Sequence, residues 1–129
     1  MALEYPPHLR YVDTHEYIRV EDDIAVIGIT AYAVDQLGDI VFVGLPEEGT
    51  EIEKGESFGS VESVKAVEDL YAPVSGEVVA VNKAVVDSPE SIADDPYGDG
   101  WLIKVRIANP EDLDDTMSAE AYASLVEGS

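Results

Sequence analysis

Cysteine is absent from the sequence, which excludes disulfide staples, thiolate metal ligands and a cysteine nucleophile. Basic residues are scarce: 7 Lys+Arg stand against 28 Asp+Glu, for a formal net charge of -21. A surface this negative repels phosphate backbones and anionic membranes, which disfavours both as partners. Only two histidines occur, His8 and His15. Their spacing fits no metal motif, and neither has a recognisable catalytic pair in the sequence. No apolar run approaches the roughly 18 residues that a spanning helix needs. The first twenty residues show no basic and apolar signal pattern and are neither Arg-rich nor acid-poor. The chain is expected to be cytoplasmic, or a mature organelle-matrix form whose leader has been removed.

The signatures of common enzymes are missing too. Gly28, Gly38 and Gly44 do not form a dinucleotide fingerprint, and no phosphate-cradling GxxxxGK[ST] loop exists. Ser57, Ser60, Ser63 and Ser75 lie in no G-x-S-x-G elbow. The run from Asp94 to Gly100 lacks the ligand spacing and closing Glu of a calcium loop, so it reads as a solvated acidic segment. A non-catalytic protein is expected. The acidity itself fits either a high-salt habitat, where counterions screen the repulsion, or a small protein that docks on basic partners.

What remains is a β pattern. A chain of 129 residues suits one domain over 1–129 with a core of its own. Residues 1–17 read as irregular because Pro6 and Pro7 bar an early helix. Tyr17 to Val20 and Ile24 to Ile29 read as strands joined by the turn Glu21-Asp22-Asp23. Thr30 suits an N-cap and Gly38 the C′ position of a two-turn helix between them. Asp39 to Leu45 reads as a strand, and Gly38-Asp39-Ile40-Val41-Phe42-Val43 echoes Gly76-Glu77-Val78-Val79-Ala80-Val81 at an offset of 38 residues. Two similar halves of short strands suggest a flattened barrel or sandwich with quasi-two-fold symmetry. Asp87 to Gly100 is expected to be a surface loop. Trp101 to Ile107 reads as a final strand with Leu102, Lys104 and Arg106 on its outer face. Asn109-Pro110 offers a cap and an N1 proline. Ser118 could cap a last helix with Tyr122, Leu125 and Val126 on one face, ending before Gly128 and completing a helical segment of about 110–127.

The most informative stretch is GSVESVKAVEDLYAPVSG, from Gly59 to Gly76. Strand-like runs bracket Lys65 in the manner of a β-hairpin. Lysine lacks the left-handed tolerance of Gly, Asn or Asp, so turn chemistry alone does not explain it at the tip. A lysine projected from a rigid tip is well placed for modification by another enzyme. Glu62, Glu68 and Asp69 flank it, either as recognition charges or as an ordinary solvated face.

Glu62-Ser63-Val64-Lys65-Ala66 and the later Ala72-Pro73-Val74-Ser75-Gly76-Glu77-Val78 resemble the lipoyl-lysine segment of the glycine cleavage system H-protein family. His15-Glu16-Tyr17, Gly28-Ile29-Thr30, Leu37 to Val43, Leu45-Pro46, Gly55, Gly59, Tyr97 to Leu102 and Tyr122 also fall in family order. A biotin carrier would show Met on both sides of its lysine, and lipoyl domains of 2-oxo acid dehydrogenases usually carry Asp before it. The resemblance implies a mostly β barrel-sandwich hybrid, the flattened barrel of lipoyl and biotinyl carriers, with short helices that include a C-terminal one. It implies covalent lipoate on Lys65, with Glu62, Ser63, Val64 and Ala66 as recognition context. It further implies a monomeric shuttle whose oxidised arm takes an aminomethyl group from the pyridoxal-phosphate glycine decarboxylase. The one-carbon unit then passes to tetrahydrofolate on the aminomethyltransferase, and the FAD enzyme dihydrolipoamide dehydrogenase reoxidises the arm. A lipoate ligase or lipoyl transferase would load it, and with no cysteine the dithiolane could not exchange with a thiol of its own chain. The alternatives are a lipoate-relay or regulatory binding protein acting outside glycine cleavage, and another lipoyl or biotinyl carrier. Two departures stand out. Tyr17 replaces the Trp that often follows His-Glu, and Ala31-Tyr32 replaces a more polar pair, so contacts in any cleft for the loaded arm must differ there.

Overall fold

Short β-branched runs punctuated by Gly, Pro and acidic turns fold into two antiparallel sheets. The computed structural model describes residues 5–127. One sheet holds Arg10–Tyr11 (β1), Glu16–Glu21 (β2), Ile24–Ile29 (β3), Glu51–Ile52 (β5), Gly76–Val81 (β8) and Ile103–Ile107 (β9), in the order β1-β2-β3-β9-β8-β5. The other holds Ile40–Gly44 (β4), Ser57–Ser63 (β6) and Val67–Tyr71 (β7), in the order β4-β6-β7. Their inner faces meet in one aliphatic core, where Ile18, Ile27, Val78 and Val105 from the larger sheet pack with Ile40, Val43, Val61 and Leu70 from the smaller. Burying each such side chain contributes about 1.5–3 kcal/mol, so this interface is the main source of stability. The mostly β sandwich with short helices matches the expectation.

The internal repeat extends to the backbone. The β4–β6 ladder slips between Ile40 and Phe42, and the β8–β9 ladder slips between Val78 and Ala80. Those positions are equivalent at the offset of 38 residues. Each half therefore carries its β-bulge at the same place, where it bends and twists the strand into the sandwich.

The helix Ala31–Leu37 (α1) begins where Thr30 Oγ1 accepts the Ala33 N–H at 3.2 Å and ends at Gly38, whose φ is 78°. That left-handed conformation favours glycine. Lys83–Asp87 (α2) is capped by Asn82, whose side chain accepts the Ala84 N–H and donates to the Asp99 and Trp101 carbonyls.

Several expectations need correction. Residues 1–17 are not all irregular, because Tyr11 in β1 exchanges backbone bonds of 2.9 and 2.7 Å with Met117. β1 itself pairs with the neighbouring β2, Arg10 opposite Ile18 and Tyr11 opposite Tyr17, and two residues are too few to show a period. The expected loop from Asp87 to Gly100 contains a helical turn, Ser91–Asp94 (α3), whose Ile92 is fully buried. Leu102 is buried rather than outward: it precedes the β9 ladder, so strand alternation does not govern it. Pro110–Asp115 is a 3₁₀ turn with proline near its start and no side-chain cap from Asn109. The C-terminal helix Ala119–Glu127 (α4) is separate, because the Tyr11–Met117 bridge interrupts the helical segment. Ser118 does cap it, accepting the Ala121 N–H at 3.1 Å. Tyr122 and Val126 face inward, whereas Leu125 is half-exposed. Gly128 lies outside the described residues.

Candidate functional site

The β6–β7 hairpin projects Lys65 from its tip, and the side chain is exposed. Two-residue hairpin turns usually need left-handed residues, yet neither Val64 nor Lys65 has positive φ. Ser63 supplies the substitute. Its buried hydroxyl accepts the N–H of Lys65 at 3.2 Å and of Ala66 at 3.1 Å, while the Ser63 N–H bonds the Ala66 carbonyl at 2.8 Å. Side-chain turns of this kind are a known use of serine. Val64 donates its N–H to the Asp39 carbonyl at 3.1 Å, tying the tip to the start of β4. A lysine at the tip thus costs no left-handed strain.

Lys65 itself is uncommitted. Among the described residues its ammonium makes no hydrogen bond or ion pair. Its Cε lies 3.5 Å from where a Cβ on Gly38 would stand, so the aliphatic stem leans over the end of α1. Of the other lysines, Lys54 pairs with Asp115 at 2.6 Å and Lys104 sits 5.0 Å from the Trp101 ring centroid. Lys83 also lacks a bonded partner, but it opens α2 rather than a hairpin.

The other residues expected around the lysine divide by face. Residues opposite one another in a ladder share a side of the sheet. Glu62 stands opposite Phe42 on one side and Val67 on the other, on the outer face. Glu68 stands opposite the buried Val61 and lines a cleft with Ala66. Val64 is 70% exposed.

That cleft, about 280 Å³, runs between the hairpin and α1. His15, Glu16 and Tyr32 also line it. The Tyr32 ring stands 4.9 Å from the His15 ring, so an aromatic wall occupies the place where a more polar pair was the family expectation. A larger groove of about 670 Å³ lies between Lys54, Asp115 and Leu125, and no residue of the hairpin tip lines it.

Glu16 is the group that sequence reasoning passed over as a mere family match. It is 1% exposed. One carboxylate oxygen accepts the Tyr71 N–H at 3.2 Å and the other accepts the Thr14 hydroxyl. Burial pushes its pKa up to about 7 against the downward pull of those bonds. It therefore joins β2 of the large sheet to β7 of the small one at the cleft floor. The signal was available: period-2 alternation sets Glu16 on the same side as the core residue Ile18.

His15 has a φ of 77°, and its Nδ1 shares a 2.7 Å hydrogen bond with the Tyr122 hydroxyl. Tyr122 also bonds the Thr30 hydroxyl at 2.8 Å. One chain of contacts therefore links α4, the N-cap of α1 and the cleft wall. Burial lowers the His15 pKa against the carboxylates of Asp13 and Glu68. Among the described residues no group of three acidic or histidine side chains converges to hold a metal ion, and no helix is long and apolar enough to cross a membrane.

The Glycine cleavage H-protein family profile matches residues 9–129. A glycine cleavage system H protein from Synechococcus sp. (strain JA-3-3Ab) is 98% identical over 129 residues, covering 100% of both chains. That of Gloeobacter violaceus is 66% identical over 129 residues, covering 99% of this chain and 100% of the relative. The crystal structure of the Mycobacterium marinum H protein superposes with a TM-score of 0.88 at 44% identity, over 94% of this chain and 98% of that one. Sequence over the whole length and a shared two-sheet fold lead to the same place: this chain belongs to the glycine cleavage H-protein family.

Proposed function

We propose that the chain acts, as one carrier domain over 1–129, as the lipoyl shuttle of the glycine cleavage system, with its arm on Lys65. The carrying observation is an exposed, unpaired lysine on a hairpin tip that is fixed at its base by Ser63 and Asp39. The residues fit an amide-linked arm. Acylation removes an ammonium charge that has no partner to lose, and the cleft beside Ala66 offers about 280 Å³ of space next to the attachment point. Lipoate on that lysine would supply a dithiolane at the end of a long flexible chain, able to open around an aminomethyl group and close again by oxidation.

The chain's own residues bind and position. The β6–β7 ladder gives the arm a rigid base, which holds its end at high local concentration near each partner. Tyr32, His15 and Leu37 form walls against which an apolar arm folds away from water. Buried Glu16 presents hydrogen-bonding capacity at the cleft floor. The protein takes no catalytic role. Its partners are glycine decarboxylase, aminomethyltransferase and dihydrolipoamide dehydrogenase, with a lipoate ligase or transferase to load it, in the cytoplasm.

Peptide mass spectrometry after incubation with a lipoate ligase tests this. One lipoyl increment is expected on the Lys65 peptide and none on Lys65→Ala. An unmodified folded protein, or an increment on Lys83 instead, would overturn it.

A further inference from the structure

Exposed apolar side chains are unevenly distributed. Among the described residues eight large ones are exposed, and five of them, Val41, Phe42, Val64, Val67 and Tyr71, belong to β4 or the β6–β7 hairpin. Phe42 is 51% exposed and Val67 63%. The ladders align Phe42, Glu62 and Val67 in one row across all three strands of the smaller sheet, and Gly44, Ser60 and Asp69 in the next. The Phe42 ring reaches over Gly44, where a Cβ would stand 3.3 Å from it. An apolar strip backed by a rigid sheet and edged by carboxylates is the ordinary form of an interaction site.

Resting on the function proposed above, we infer that this outer face is where the enzyme that acylates Lys65 docks. That enzyme meets it with an apolar recess rimmed by lysine and arginine. Three observations select this occupant. First, an acylating enzyme must bring its active site to the Lys65 ammonium itself, so it must touch the residues beside the tip. Enzymes that work on the end of an extended arm stand off by the arm's length. Second, the Lys65 stem leans over Gly38, which leads into β4, the strand that exposes Val41 and Phe42. Third, the charge is one-sided. Asp39 and Asp69 border the strip, Glu62 lies within it between Phe42 and Val67, and Lys65 is the only cation on the three strands and their connecting hairpin turn. A basic partner is attracted to such a rim, whereas a second copy of this chain, itself at -21, is repelled.

The test is steady-state kinetics of Lys65 lipoylation by a purified lipoate ligase, with the apo chain as varied substrate. Phe42→Thr with Val67→Thr removes the apolar strip while keeping strand-favouring residues. The paired variant should raise KM about tenfold with kcat retained and leave the melting temperature near that of the parent. Added salt should raise the parent's KM. Val20→Thr with Leu125→Thr, exposed apolar positions elsewhere, should leave KM unchanged. An unchanged KM in the Phe42/Val67 variant, or an equal rise in the Val20/Leu125 variant, overturns the docking surface and leaves the carrier function standing. A parent that sediments as a dimer and a Phe42/Val67 variant that sediments as a monomer would make the face a self-interface instead. A parent that accepts no lipoate at all would remove the carrier function first, an outcome the KM comparison cannot imitate.

Discussion

The tyrosine-rich flank and the lysine-bearing hairpin use side chains in opposite ways. On the flank, Tyr11, Tyr17 and Tyr122 are fully buried beside Leu9, with the Tyr11 and Tyr122 rings stacked at 5.0 Å. Each of these three hydroxyls has a partner: Tyr11 donates to the Pro6 carbonyl, Tyr17 to that of Pro96, and Tyr122 meets Thr30 and His15. Burial raises the pKa of all three phenols, which stay neutral. At the hairpin, Val64, Lys65 and Val67 are exposed, and the tip is held by the Ser63 hydroxyl and by backbone bonds within the turn and to Asp39. One region holds the C-terminal helix and β1 against the large sheet. The other is left open for something outside the chain to occupy. Stability and function are therefore separable by mutation.

The sharpest break between the two comes from Lys65→Ala. Loss of loading should be complete, while an exposed, unpaired side chain takes almost no stability with it, so the chemical melting curve should be unchanged. The converse is Tyr122→Ala. It deletes a stacked, fully buried ring and two hydrogen bonds, and should cost about 3–5 kcal/mol in urea unfolding. The folded fraction should still accept lipoate on Lys65 with an unchanged KM, since the flank does not touch the tip. A large rise in KM would show that the regions are coupled through the His15 contact.

Glu16 lies between them and gives the comparison a pH signature. Its folded pKa of about 7 stands above the ordinary 4.5, so between those values the folded state binds more protons than the unfolded one. Stability linked to Glu16 is fully present below about pH 4.5, falls as pH rises through 7, and is then constant. The span corresponds to about 3 kcal/mol at most. His15 has the opposite sign: with its pKa lowered, stability falls as pH drops below 6.5. Glu16→Gln keeps the shape and can keep both hydrogen bonds, so subtracting its urea stability from that of the parent cancels His15. The parent should lose ground to the variant as pH rises from 4.5 to 8. A flat difference would mean that Glu16 is not buried as a charge.

Local chemistry explains what could be read from the sequence. Thr30 and Gly38 bounded α1 because capping and left-handed φ are properties of single residues. The strands on either side of Lys65 were legible from punctuation and β-branching, and the repeat from Gly38 and Gly76 marked the two halves. The larger errors were non-local. α3 exists through the burial of Ile92 and the C-terminal helices are interrupted by the Tyr11–Met117 bridge, whereas β1, paired with the adjacent β2, is simply too short to show a period. Within the site, the hairpin position of Lys65 was legible but the reason for it was not. Hairpin punctuation points to left-handed residues, whereas the serine hydroxyl that replaces them sits two residues before the lysine.

Ser63 gives the smallest effect and the finest test of the contrast. Its side chain is 8% exposed and holds the Lys65 and Ala66 N–H groups, so Ser63→Ala leaves two turn donors to find water. Because the tip is solvent-facing, water can reach them, and the stability cost should be near the lower end for a lost cap, about 0.5–1 kcal/mol. The functional cost should be larger in proportion. A tip no longer held by that hydroxyl samples several orientations, and an enzyme that must find the lysine in one geometry sees a lower effective population of it. Lipoylation of Ser63→Ala should slow several-fold at low carrier concentration, and Ser63→Thr, which keeps the hydroxyl, should restore it. If Ser63→Ala is instead loaded at the parental rate, the turn's rigidity plays no part in recognition, and the exposed strip on β4 and β7 must carry it alone.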